Sequence, residues 1–391
     1  MPSVSLGLEQ LIASPPPELR HARIGLLCNS ASVDANIIHA RQRVQSVFGD
    51  RLKALYSPQH GFFAEKQDNM IESDHRKDRL LGLQVYSLYG QTRIPTQEML
   101  DPIDVLLIDL QDVGTRVYTF IYTMSYCMEA ARKFDKKVII LDRPNPIGGL
   151  AIEGNCLDPQ WQSFVGRYPI PMRHGLTIGE LAGLFNDAYG IDCDLQVLSM
   201  GGWRRHMLYN ETGLPWIAPS PNLPTPVSAL VYPGQVIWEG TNVSEGRGTT
   251  QPFEIFGAPY IDPDRVIGAT NELAFEGAIM RVVEFEPTSN KWQGEICRGF
   301  QIHVSDPHRF KPYRTSLCLL QAILHCHPDD FDWKAPPYEY EYEKMPIDLI
   351  LGGQRVRNQI SAMKPITALE SDWQNELDAF DDLRKNYLLY T

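Results

Sequence analysis

Six carboxylates fall in two short polar stretches of this chain. Glu65, Asp68, Glu72 and Asp74 lie in Ser57–Asp74, which also supplies His60, Lys66, Gln59, Gln67 and Asn69, and Glu239 and Glu245 lie in the stretch from 239 to 249. Two carboxyls about 5 to 9.5 Å apart are what glycoside cleavage needs: one protonates the leaving oxygen, the other stabilises the cation or activates water. The bland alternative is a set of solvated surface acids in a protein that is acidic throughout. The first stretch has too little apolar periodicity to be a packing element, and irregular loops of that length in compact domains are more often functional or disordered than merely connecting.

Other clusters offer less. Arg116, Arg143 and Arg247 stand near Asp112, Asp142 and Glu245; they can brace loops as salt bridges or grip an anionic substrate group through the guanidinium fork. In Asp142-Arg143-Pro144-Asn145-Pro146 the prolines can equally do no more than fix a rigid turn. His174 precedes a helix start and fits either packing or an anionic ligand. The histidines at 60, 75, 174, 303, 308, 325 and 327 make no H-E-x-x-H, and the seven cysteines make no C-x-x-C pair, so no metal site is expected. There is no G-x-S-x-G elbow, and Cys28 and Cys127 read as small buried hydrophobes.

The elements that must position these residues are an alternation of strands and helices. Apolar runs at 23–28, 52–56, 104–110 and 137–142, with helices predicted over 33–48 and 116–134, imply parallel βαβ units and an α/β sheet covered on both faces. Three strands end in polar clusters, Gln59-His60, Gln111–Arg116 and Asp142–Pro146, and in an open parallel sheet such ends share one edge. The turn after the first strand, Cys28-Asn29-Ser30-Ala31-Ser32, lacks the glycines that admit a pyrophosphate, so no dinucleotide or other cofactor is expected. Thr177 and Glu180 form a capping box for a helix reaching Tyr189. Six prolines between 215 and 233 mark a crossover, which divides the chain into a Rossmann-like domain, 1–214, and a smaller α/β domain, 215–391. A short strand is expected near Tyr232-Pro233-Gly234.

The 391 residues suit two domains. A net charge of −12 argues against nucleic acid or an anionic membrane as partner, and no apolar run is long enough to span a bilayer. Scattered cysteines and an N-terminus without a basic or apolar leader pattern give a cytoplasmic expectation.

The same residues carry a family resemblance. The segments at 57–62, 109–119, 142–146, 173–180, 232–234 and 239–249 resemble, in order along nearly the whole chain, the NamZ exo-β-N-acetylmuramidases. That likeness implies a Rossmann-like domain and a smaller α/β domain with the site in the cleft between them. It also implies release of N-acetylmuramic acid from the non-reducing end of peptidoglycan fragments. The family pattern commonly carries glutamate, a candidate acid, before His60-Gly61, where this chain has Gln59, and an amide gives up no proton at neutral pH. Glu65 is therefore expected as general acid, Glu239 or Glu72 as second carboxylate and His60 as the group orienting the acid. The substrate set is then Gln59, Asp112, Arg116, Asp142, Arg143, Asn145, His174, Asn222, Tyr232, Asn242, Glu245 and Arg247. The alternative is a sugar-binding protein that keeps the cleft without the chemistry.

Overall fold

The computed structural model describes residues 4–67 and 70–391, so Asp68 and Asn69 of the first polar stretch lie outside the described residues. The first half is built on β1 (Ile24–Cys28), β2 (Leu52–Ser57), β3 (Arg76–Lys77), β4 (Gln84–Ser87), β5 (Val105–Asp109) and β6 (Lys137–Leu141). A short pair, β7 (Glu153–Cys156) and β8 (Pro171–Arg173), leaves the sheet, and β9 (Leu195–Leu198) rejoins it. The order is β3-β4-β2-β1-β5-β6-β9, parallel throughout except for the β3 edge. Without β3 this is the doubly wound order, reversing at β1. Every residue of β1 and β5 is buried, as unbroken apolar runs require when helices cover both faces.

The crevice above β1 and β5, where doubly wound sheets usually take a ligand, is occupied by the chain itself. Asn29 Nδ2 donates to the Pro219 carbonyl at 2.8 Å, and Ser32 Oγ donates to the Asp109 carbonyl at 2.5 Å. The proline-rich stretch thus folds back over the sheet. Its last part is a helix, Pro226–Gln235, and not the strand that Tyr232-Pro233-Gly234 suggests. Pro226 sits in the first turn, where its missing N–H costs nothing, Thr225 caps the end, and Pro233 falls in the last turn. Gly234 lets this helix lie against the helix Pro312–Cys326, since a Cβ there would overlap the Pro312 carbonyl.

The second half adds an antiparallel sheet of β10 (Ile255–Ala258), β11 (Ala278–Phe285) and β12 (Cys297–Val304) in the order β10-β12-β11. One apolar cluster runs without a break from Leu27 and Ile108 of the first sheet through Trp238 and Phe300 to Phe380. The final helix, Ile366–Arg384, returns to the first half, where Arg384 donates to the Gly149, Leu150 and Gly175 carbonyls.

Candidate active site

The ends of β2 and β5 and the second half of the chain enclose a narrow pocket of about 30 Å³. Gln59 and His60 follow β2, Thr119 follows β5, Tyr232 comes from the helix Pro226–Gln235, and Arg247 and Phe253 from the glycine-punctuated loop. Tyr232 meets Phe253 edge-on at 4.8 Å, an aromatic corner on one side of the pocket. Among the described residues, the acids lining the pocket are Glu239 and Glu339.

Glu239 sits in the short 3₁₀ helix Val236–Gly240 that continues the helix before it, and it is 4% exposed. Its Oε1 accepts from Arg247 Nη2 at 2.6 Å and its Oε2 from the Tyr338 hydroxyl at 2.7 Å. Burial works against its charge, but Arg247, Tyr338 and the nearby Lys334 outweigh burial and hold the carboxyl below its usual range. Behind it Glu245 accepts from Arg247 Nε at 3.0 Å and from Lys291 Nζ at 2.8 Å. Arg247 spends its fork on these two carboxylates and donates to the Gln67 carbonyl at 3.2 Å, so it orders the site rather than offering a vacant anion grip.

Glu339 lies opposite, also 4% exposed. It occupies a two-residue turn between Tyr338 and Glu341, whose backbones exchange both hydrogen bonds at 3.0 Å. Glu339 and Tyr340 have φ of 48° and 66°, the left-handed conformations of a tight hairpin that normally takes Asn-Gly. That absent signature is why the sequence hides it: 338–343 reads as a run of alternating Tyr and Glu. Gln59 Nε2 donates to Glu339 Oε1 at 3.0 Å, and the Tyr89 hydroxyl donates to Oε2 at 2.6 Å. Burial raises the Glu339 carboxyl above its ordinary value and the Glu239 charge adds to this, against the pull of Tyr89, Gln59 and Arg93.

Of the residues expected from the sequence, Gln59, His60, Asn222, Tyr232, Glu239 and Arg247 come together around the pocket, with Glu245 behind them. The others lie elsewhere. Glu65 bridges to Arg76 at 3.1 Å and accepts from the Phe63 N–H at 2.9 Å, with its side chain 39% exposed. Exposed Glu72 meets only the Tyr340 hydroxyl at 3.3 Å in the contacts described. Arg116 is fully buried and donates to the carbonyls of Asn155, Ile170 and Ile350. Asp142 accepts from Gly179 N–H, Arg143 N–H, Thr177 and Tyr390, and burial still lifts its carboxyl to about 6. Arg143 forks onto Asp109 at 2.5 and 2.9 Å, and Asn145 bonds the backbone of Leu176 and Ile147. Asn242 bonds Asp330 and Tyr260. His174 Nδ1 accepts from the Leu176 N–H, so its Nε2 carries the proton that faces Asp112 at 3.3 Å. The strand-end clusters after β5 and β6 therefore build the scaffold, as braces commonly do. Glu65→Gln is accordingly expected to leave kcat within about twofold and to cost under ~1 kcal/mol, the range of an exposed ion pair. A progress curve beside a urea melt checks both.

Comparison with known proteins identifies the family and the fold. Residues 24–227 match the family model for Exo-beta-N-acetylmuramidase NamZ, N-terminal, and residues 230–390 match its C-terminal counterpart. The chain belongs to the NamZ exo-β-N-acetylmuramidase family. It is 41% identical over 389 residues to the peptidoglycan beta-N-acetylmuramidase NamZ of Bacillus subtilis (strain 168), covering 100% of this chain and 92% of that protein. Two DUF1343 family proteins from Bacteroides fragilis NCTC 9343 share the fold. One has a TM-score of 0.89 at 35% identity and the other 0.77 at 28%, each alignment covering 100% of this chain and 99% of the other. The NamZ family models meet between residues 227 and 230, at the start of the helix that carries Tyr232 and leads into Glu239.

Proposed function

We propose that this chain is a glycoside hydrolase that removes N-acetylmuramic acid from the non-reducing end of peptidoglycan fragments, with the pocket around Glu239 as the place of cleavage. The full-length likeness to a peptidoglycan muramidase supports the reaction. The observation that carries the site is the held, ionised carboxylate of Glu239 lining the pocket, with an aromatic corner beside it. Glu239 faces the developing positive charge at C1 and the ring oxygen, where a preorganised anion stabilises the transition state more than the ground state. Tyr232 and Phe253 seat the ring, and Asn222, tied to the Gln67 carbonyl at 2.9 Å, and His60, whose Nδ1 donates to the Lys66 carbonyl at 2.8 Å, stand ready to bond its substituents.

Incubation with N-acetylmuramyl-β-1,4-N-acetylglucosamine and with its positional isomer, in which N-acetylglucosamine is the non-reducing sugar, tests this reading. Free N-acetylmuramic acid is expected from the first alone. Binding of the first without turnover would favour a sugar-binding protein, and cleavage of both would contradict recognition of a terminal muramic residue.

A further inference from the structure

Resting on that reading, we infer that Glu339 is the general acid of this enzyme and that Gln59 and Tyr89 are its positioning residues. The pocket holds two described acids, and Glu239 is committed to Arg247 and Tyr338 as an anion. The third polar group at this corner of the pocket, Gln59, is an amide and cannot supply a proton. That amide points at Glu339. Thr119 Oγ1 donates to Gln59 Oε1 at 2.6 Å, which turns the Nε2 group toward Glu339 Oε1 at 3.0 Å. The Tyr89 oxygen is in turn fixed by the Met70 N–H at 3.0 Å and donates to Glu339 Oε2 at 2.6 Å. Each carboxyl oxygen thus accepts one bond and keeps a second lone pair, so a proton can sit on Glu339 with both tethers intact.

Three features mark the residue as built for this role. Its carboxyl is buried against the pocket, its backbone and that of Tyr340 are held at positive φ where glutamate and tyrosine are strained, and its tethers come from the ends of β2 and β4, far away in sequence. The charged and titratable groups facing it are Glu239, Arg93, Tyr89, Tyr232, Tyr338 and Tyr340. Arg93, stacked 4.2 Å over the Tyr340 ring, opposes protonation, while burial and Glu239 favour it.

The step is a proton transfer coupled to C–O cleavage. The Glu339 proton passes to the glycosidic oxygen as the bond from C1 to that oxygen breaks. The bonding electrons stay on the oxygen, which leaves as a neutral alcohol, and Glu239 faces the cationic sugar. Water then gives its hydroxyl to C1 and its proton to the carboxylate pair, which returns to one proton between the two residues.

The test compares a leaving group that needs protonation with one that does not. Wild type, Glu339→Gln and Glu339→Asp are assayed on N-acetylmuramyl-β-1,4-N-acetylglucosamine and on 2,4-dinitrophenyl β-N-acetylmuraminide across pH. For Glu339→Gln the expected loss is about 10²–10⁴-fold on the disaccharide and less than about tenfold on the aryl glycoside, with disappearance of the alkaline limb of kcat/KM. Glu339→Asp is expected to keep that limb at reduced rate. Equal losses on both substrates with the limb intact, or no loss at all, would overturn the assignment while leaving the muramidase reading in place. A wild type silent on both substrates overturns that reading and the assignment with it.

Discussion

Glu239→Gln is expected to lower kcat by about 10²–10³-fold with KM changed only a few-fold, the signature of an interaction made in the transition state. The substitution keeps the shape of the side chain and an acceptor for Arg247 Nη2 at Oε1, but removes the one described pocket acid whose surroundings favour its charge. It also leaves Arg247 with Glu245 as partner at 3.0 Å, so the loop from 241 to 253 stays ordered. Because the Glu239 charge raises the Glu339 carboxyl, the alkaline limb of the residual activity moves to lower pH. Steady-state kinetics across pH read both effects. A pure KM effect would mean that Glu239 binds the sugar and does not act on the reacting centre.

Arg116→Ala is expected to cost about 3–5 kcal/mol of stability, read as a fall in the urea midpoint. The Arg116 guanidinium is fully buried among carbonyl oxygens of Asn155, Ile170 and Ile350, which joins β7, the segment before β8 and the helix Pro346–Leu351. Burial presses its pKa down, and three carbonyls take bonds from its two Nη groups. Removing the side chain leaves a cavity and orphaned acceptors at once. Arg116→Lys, a compact ammonium in place of a planar fork, is expected to recover only part of the loss. Were Arg116 a reader of the substrate carboxylate, the lysine variant would raise KM with stability nearly unchanged.

The contrast between these two residues shows what a sequence can disclose. Apolar runs such as Ile24–Cys28 and Val105–Asp109 declare buried parallel strands, because burial on both faces leaves no polar alternation, and the capping box of Thr177 and Glu180 is present as read. Glu239 and Arg247 are eight residues apart, close enough for their pairing to be suspected from a single polar loop. Arg116 and Arg143 carry the same chemistry in sequence but are turned inward, and nothing local distinguishes a guanidinium that meets backbone carbonyls from one that meets solvent. Glu65 misleads in the opposite way. It sits six residues after Gln59, but the chain turns through left-handed conformations at His60 and Gly61, and the side chain pairs with Arg76. Glu339 is 280 residues from Gln59, on a hairpin without turn residues, and only the packing of the 338–341 turn on the ends of β2 and β4 joins them. The helix Pro226–Gln235 was hidden by its own prolines, which sit at the two turns where they are tolerated.

With Glu239 and Glu339 in these roles, the glycosidic bond is cleaved in the pocket between them. A crystal structure of Glu239→Gln bound to N-acetylmuramyl-β-1,4-N-acetylglucosamine tests it most directly. The muramic ring is expected against Tyr232 and Phe253, with the glycosidic oxygen within hydrogen-bond reach of Glu339. A disaccharide seated instead beside Glu65, or in the crevice above β1 and β5, would contradict it.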